Sequence, residues 1–251
     1  MARATVLGRL NWLSAEVVAD RRETPRVRSL VLDCPGWPGH LPGQHVDIRL
    51  TAEDGYQAQR SYSIATPADG TRVTLTVEHV PDGEVSPYLV DEAVIGDRFE
   101  LRGPIGGYFV WRPDDGGPLL LIAGGSGIAP LMAMLRARRR LHEGVRARLL
   151  MSARSSDDLI YAAELNELAA TDPGVEVVQT LTRSQPEGWT GYSRRVDREM
   201  LAEVAWPEAE HAHTYVCGPT EFVEAVANSL VALGYDPRSI RTERFGPSGG
   251  S

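Results

Sequence analysis

A chain of 251 residues, 42% hydrophobic and 24% charged, has the composition of an ordinary soluble globular protein and the length of one large domain or two small ones. Its formal charge of −8 excludes a general electrostatic attraction to nucleic acid, whose binding surfaces are usually basic. No stretch approaches the roughly 20 apolar residues of a membrane span. The N-terminus lacks the basic-then-apolar pattern of a secretory signal, so a cytoplasmic location is expected. The two cysteines, Cys34 and Cys217, are too few and too far apart for a disulfide framework. They are also too few for a protein-held iron–sulfur cluster, which generally takes four thiolates, or two with two histidines. No metal site is expected, and any electron acceptor beyond a flavin must lie outside the chain. The expected state is a monomer.

Up to about residue 112 the sequence reads as β-rich. Arg28–Leu32, His45–Leu50, Val73–Val80 and Arg98–Leu101 alternate or cluster β-formers between glycine and proline punctuation, which suggests a small antiparallel barrel. The break Arg112-Pro113-Asp114-Asp115-Gly116-Gly117-Pro118 then marks a domain boundary. Beyond it, Leu119–Ala123 is a continuous apolar run suited to a parallel strand covered on both faces. A helix over 129–141 follows. Further strands are predicted at 148–152, 175–181, 214–217 and 240–243, with helices at 161–169, 197–204 and 220–233 between them. This alternation predicts a doubly wound parallel sheet, an α/β domain behind the β-barrel. The tail from Gly246 to Ser251 reads as a disordered end.

Two segments carry chemistry on their own residues. Gly124-Gly125-Ser126-Gly127-Ile128-Ala129-Pro130 stands between a buried strand and a helix, where glycine lets the backbone approach a pyrophosphate and the helix end attracts it. It departs from the usual dinucleotide fingerprint, because Pro130 replaces the third glycine and the next strand ends in Ser152-Ala153-Arg154 rather than an acid. In Arg60-Ser61-Tyr62-Ser63, strand alternation puts Arg60 and Tyr62 on one face and Ser61 and Ser63 on the other. Taken alone, that segment is also compatible with an ordinary edge strand.

The order of this strand, Gly83-Glu84-Val85-Ser86, Gly103-Pro104-Ile105-Gly106-Gly107-Tyr108-Phe109, the Gly124–Pro130 turn and Cys217-Gly218-Pro219-Thr220 resembles the ferredoxin–NADP reductase family. The likeness runs from about Val17 to Phe245, in a two-domain form without a fused iron–sulfur domain. It implies an FAD-binding barrel over 1–112 and an NAD(P)H-binding α/β domain over 113–251. By this resemblance Arg60 pairs with the flavin pyrophosphate, with Ser61 beside it, while Tyr62 packs on the isoalloxazine ring and Ser63 hydrogen-bonds its N5. Thr76, Val77 and His79 fall on the ribityl and phosphate strand, and Glu84, Val85 and Ser86 form a loop around the second phosphate. Ser86 also reads as a helix cap. Gly125, Ser126, Gly127 and Ile128 would cradle the NAD(P)H pyrophosphate. Cys217, Gly218 and Pro219 would flank the nicotinamide, although a buried cysteine is often only a small hydrophobe. Glu243 matches an acidic position near the reacting ring, or else forms a surface salt bridge, and Phe245 closes the matched region.

Arg154, with Ser155 beside it, and then Arg183 and Arg195, match positions that hold the 2′-phosphate of NADPH, so NADPH is the expected donor with NADH still open. The resemblance implies the catalytic set Ser63, Cys217 and Glu243, and electron transfer from NAD(P)H through FAD to a separate redox protein such as a ferredoxin serving an oxygenase or cytochrome P450. A flavin or quinone reductase with a small-molecule acceptor, and a flavin- and nucleotide-binding regulatory module without turnover, are the alternatives.

Overall fold

The computed structural model describes residues 10–141 and 144–246, so the tail expected to be disordered lies, apart from Gly246, outside the described residues. Six antiparallel strands come first: β1 (Trp12–Thr24), β2 (Val27–Asp33), β3 (His45–Thr51), β4 (Gln57–Ser63), β5 (Arg72–Glu78) and β6 (Arg98–Ile105). They are ordered β4-β3-β6-β1-β2-β5. An antiparallel bridge between Ile64 and Leu75, with Ala65 N–H donating to the Thr74 carbonyl, brings the end of β4 back to β5 and closes the barrel. Alternate residues point inward, so that Leu30 and Leu32 of β2 meet Val73, Leu75 and Val77 of β5 in the barrel core.

The longest strand, β1, carries no clear signal in the sequence. Its pairing with β2 shifts register between Val17 and Ala19 and again between Arg22 and Thr24, which breaks the period of two. Its second half is also charge-rich, with Arg21 and Arg22 pointing to solvent.

Five parallel strands follow: β7 (Leu119–Gly124), β8 (Ala147–Ala153), β9 (Val175–Leu181), β10 (His213–Pro219) and β11 (Ile240–Phe245). The helices between and beside them are α1 (Ile128–Leu141), α2 (Ala162–Thr171), α3 (Arg198–Val204) and α4 (Thr220–Ala232). Strand β7 is central and buried at all six residues. Leu119, Leu121 and Ala123 enter one core, while Leu120 and Ile122 enter the other, opposite residues of α3 and α4. Pro130 sits in the first turn of α1, where the missing N–H has no intrahelical partner to lose. The strand order β11-β10-β7-β8-β9 reverses direction between β7 and β10, and ligands of open α/β sheets bind outside the carboxyl ends of the strands at such a reversal.

The two units are tied together by groups from both. Phe109 and Trp111, which precede the Arg112–Pro118 break, already pack in the core of the second unit, and the Tyr215 hydroxyl donates to the Val110 carbonyl at 2.8 Å. Arg136 of α1 forks onto Glu164 at 2.8 and 2.5 Å and donates to the Ala65 carbonyl of the barrel at 2.6 Å. The buried Tyr161 hydroxyl meets Thr76 Oγ1, which also bonds Ser29 Oγ at 2.8 Å.

Gly43, just before β3, has φ +96°, and a Cβ added there would lie 1.9 Å from the Phe109 carbonyl oxygen and 2.8 Å from Met134 Cε. Gly36 has a similar φ of +84° with nothing within 4 Å. Gly36→Ala is therefore expected to cost roughly 1 kcal/mol through backbone strain alone, and Gly43→Ala several times that through the clash. Urea unfolding of the two variants checks the difference.

Candidate active site

The sequence between β7 and α1 folds as one tight turn, Gly125–Gly127, leading straight into the helix. Gly125 has φ +54° and open space where a Cβ would stand, so its backbone faces the crevice bare. Gly127 serves a different purpose. A Cβ there would lie 2.3 Å from the Cys217 carbonyl oxygen, so this glycine lets the turn pack against the end of β10. Gly124 and Gly218 likewise share a close contact under the Phe222 ring. The free N–H groups at the start of α1 add the positive end of the helix to this corner. Ile128 is fully buried and contributes only main chain.

The turn opens on a cleft of about 190 Å³ between the two units. The barrel lines it with Thr24, Arg26, Val27 and Glu78, and the sheet with Gly125, Arg154, Pro219 and Phe245 among others. Arg183 N–H donates to the Arg154 carbonyl at 2.9 Å, which sets the two arginines side by side at the ends of β8 and β9. Arg154, Arg183 and Arg195 are exposed, and among the described residues their side chains enter no ion pair. Arg194 beside them is engaged by Asp197 and Glu199. Ser155 donates to Asp158, another residue of the cleft wall, at 2.7 Å.

Where the barrel meets the switch point, Ser63 Oγ donates to Glu243 Oε1 at 3.1 Å. Glu243 pairs in register with Cys217 across β10 and β11. Burial raises the Glu243 carboxyl to about 7, against the opposing hydrogen bond from Ser63. Its Oε2 is buried without a hydrogen-bond partner among the described residues. Burial, with the Glu243 charge adding to it, also holds the Cys217 thiol neutral. Cys217 is thus a compact apolar neighbour of Glu243, without thiolate character. His45 stands opposite Ser63 in the β3–β4 pairing, and burial lowers its pKa despite Asp47.

The remaining barrel residues divide by what their side chains touch. Arg60 is exposed and holds Glu84 at 2.8 Å, using Nη2 for that pair and Nη1 for its neighbour's carbonyl. Tyr56 also reaches Glu84. Ser61 donates to Asp47 at 2.6 Å. Tyr62 is half-buried against the barrel core, and burial raises its phenol. His79 Nε2 lies 3.1 Å from Asp91.

Two expectations narrow and one needs correction. The Thr76 hydroxyl is engaged by Ser29 and Tyr161. Val77 and Val85 are core residues, so only their main chains are available to a ligand. Ser86 does not cap a helix. It lies inside the helical turn that continues through Tyr88–Glu92, and its Oγ instead accepts from Val80 N–H at 3.1 Å.

His45, Arg26, Glu78 and Phe222 belong to the site without having been singled out in the sequence. His45 alone had a local signal, since it opens β3 directly after Pro42-Gly43-Gln44 and points to the same side as Ser63. Among the described residues no group of three or more His, Cys, Asp or Glu is placed to hold a metal ion, and no helix is long and apolar enough to cross a membrane.

The glycine turn lies at the sheet reversal and meets the barrel through Glu78, with the partly buried Ser63–Glu243 pair joining the same two units. Residues 15–110 match the oxidoreductase FAD-binding domain and 121–228 the oxidoreductase NAD-binding domain. NADH-cytochrome b5 reductase 1 of Emericella nidulans is 32% identical over 92% of this chain and 74% of its own length. The 2-halobenzoate 1,2-dioxygenase electron transfer component of Burkholderia cepacia is 30% identical over 89% of this chain, which spans 64% of that protein. Among solved structures, the FAD/NAD-binding domain of nitric oxide dioxygenase from Vibrio cholerae superimposes with a TM-score of 0.83, at 26% identity, covering 94% of this chain and 99% of that one. The chain belongs to the ferredoxin–NADP reductase family, with an FAD-binding barrel domain followed by an NAD-binding α/β domain.

The buried acid has a consequence for stability. A carboxyl raised to about 7 in the folded state binds more protons than in the unfolded chain, so its contribution falls as pH rises from its unfolded value through the folded one. Glu243→Gln removes this dependence. Its stability relative to the parent protein is expected to rise by roughly 2 kcal/mol between about pH 5 and about pH 8, measured by urea unfolding at each pH.

Proposed function

We propose that this chain is an NAD(P)H-dependent FAD reductase that passes electrons to a separate redox protein. The observation that carries the reading is the 3.1 Å hydrogen bond from Ser63 to Glu243, which joins the flavin-side strand to the nicotinamide-side sheet at the strand reversal. Bound FAD would supply the chemistry of taking a hydride from a dihydronicotinamide and releasing its electrons to an acceptor. The chain's own work is to hold, orient and shield.

Arg60 offers a planar fork of donors to the flavin pyrophosphate once Glu84 gives way, and Ser86 and the main chain of Glu84 and Val85 surround the second phosphate. Tyr62 supplies a flat ring beside Ser63. Burial favours the neutral form of Glu243, whose Oε1 accepts from Ser63, so below about pH 7 the pair sets no negative charge beside the reacting rings. Cys217 and Gly218 keep the end of β10 narrow, and Phe245, paired in register with Pro219, walls the cleft. Holding two aligned reactants about 3 to 3.5 Å apart supplies much of the rate through orientation.

NADPH is the favoured donor, supported by three exposed arginines that enter no ion pair at the ends of β8 and β9 and in the following loop. The acceptor we favour is a ferredoxin-like protein of an oxygenase system, supported by the likeness to a dioxygenase electron transfer component. Stimulation of cytochrome c reduction by added ferredoxin is the expected result, and indifference to ferredoxin at every concentration would remove the protein-acceptor reading.

Arg60→Ala is expected to purify largely free of flavin, read from the visible spectrum, whereas full retention of the yellow colour would refute the pyrophosphate role. Arg154→Ala combined with Arg183→Ala is expected to raise KM for NADPH about tenfold or more relative to KM for NADH, because charge-assisted hydrogen bonds to the 2′-phosphate are lost. Equal changes would reverse the assignment of donor.

A further inference from the structure

We propose that Arg26, on the barrel side of the cleft, is the cation that takes the dinucleotide's pyrophosphate. This rests on the reductase reading above and adds to it a residue from the opposite domain. The glycine turn provides N–H groups and the end of a helix dipole but no full positive charge, since the basic residues of α1, Arg136 and Arg138 to Arg140, all lie in its second half. The charged side chains lining the cleft are Arg26, Glu78, Arg154 and Asp158. Arg154 stands at the end of β8, one strand away from the turn. Among the described residues, Arg26 is the cleft cation that an ion pair and a hydrogen bond connect to the glycine turn.

Glu78 brings Arg26 to that place. One carboxylate oxygen lies 3.0 Å from Arg26 Nη2 and the other accepts from Ser126 Oγ at 2.8 Å, so a single side chain joins the arginine to the middle of the glycine turn. Without Arg26, Glu78 would present a like charge to an incoming pyrophosphate. With Arg26, the pair is neutral. The pairing occupies only Nη2, and Nε and Nη1 remain as donors on a half-exposed guanidinium. A planar fork with two free edges suits phosphate oxygens. Arg26 also sits in the short turn between β1 and β2, where its carbonyl accepts from His79 N–H, so its main chain is fixed independently of the side chain.

The test uses the FAD-loaded, oxidised protein and calorimetric titration with NADP⁺, NAD⁺ and adenosine 2′-monophosphate, which lacks the pyrophosphate. Arg26→Ala is expected to weaken NADP⁺ and NAD⁺ by the same factor, about 10- to 100-fold, and to leave the monophosphate unchanged. Arg26→Lys, which keeps the charge and loses the fork, should recover part of the loss. Unchanged dinucleotide affinity in Arg26→Ala overturns the proposal, and so does a loss that extends equally to the monophosphate, since that marks general damage to the cleft. A parent protein that binds neither dinucleotide overturns the reductase reading itself, an outcome separate from failure of the Arg26 variants.

Discussion

Ser63 and Glu243 are 180 residues apart in sequence and 3.1 Å apart in space. One ends a barrel strand and the other lies on the outermost strand of the parallel sheet, so the hydrogen bond between them marks one place where the two domains meet. Burial makes the contact demanding. An ionised Glu243 would be desolvated there, and the carboxyl responds by titrating near 7, which turns a packing contact into a group that can carry a proton.

The rest of the structure serves that meeting. Strand β7, buried on both faces, sets the axis of the sheet, and the strand order turns back between β7 and β10. The Gly125–Gly127 turn and the Cys217–Gly218 end of β10 are thereby placed side by side, so that a Cβ at Gly127 would meet the Cys217 carbonyl and one at Gly124 the Phe222 ring. The barrel is pressed against this corner by Arg136, Tyr161 and Tyr215, each reaching across to a group on the segment 65–110. Orientation is the main catalytic asset of such a site, and it comes from fixed contacts between domains.

The local signals in the sequence were those with a short period or a strong breaker. The apolar run at Leu119–Ala123, the glycine turn and the Arg60–Ser63 alternation each announced an element and its chemistry within a few residues. Strand β1 was hidden by two register shifts and exposed charges. Thr76 shows another limit. Alternation marks which residues share a face, but whether that face meets a ligand or a neighbouring domain depended on Tyr161, 85 residues away. Arg26 and Glu78 read as ordinary charges flanking strands, and only the folded contact with Ser126 links them to the dinucleotide turn. The order of five short motifs gave the family because order and spacing survive where single residues vary.

The central claim is that two nucleotides meet ring to ring at the Ser63–Glu243 contact. Anaerobic stopped-flow mixing of the FAD-loaded protein with NADPH carrying deuterium at the transferred position of C4 tests it most directly. Bleaching of the flavin in a single fast phase, slowed by the deuterium and slowed further in Ser63→Ala, is the result the account requires. A flavin that stays oxidised, or that bleaches at a rate indifferent to both deuterium and Ser63, would contradict it.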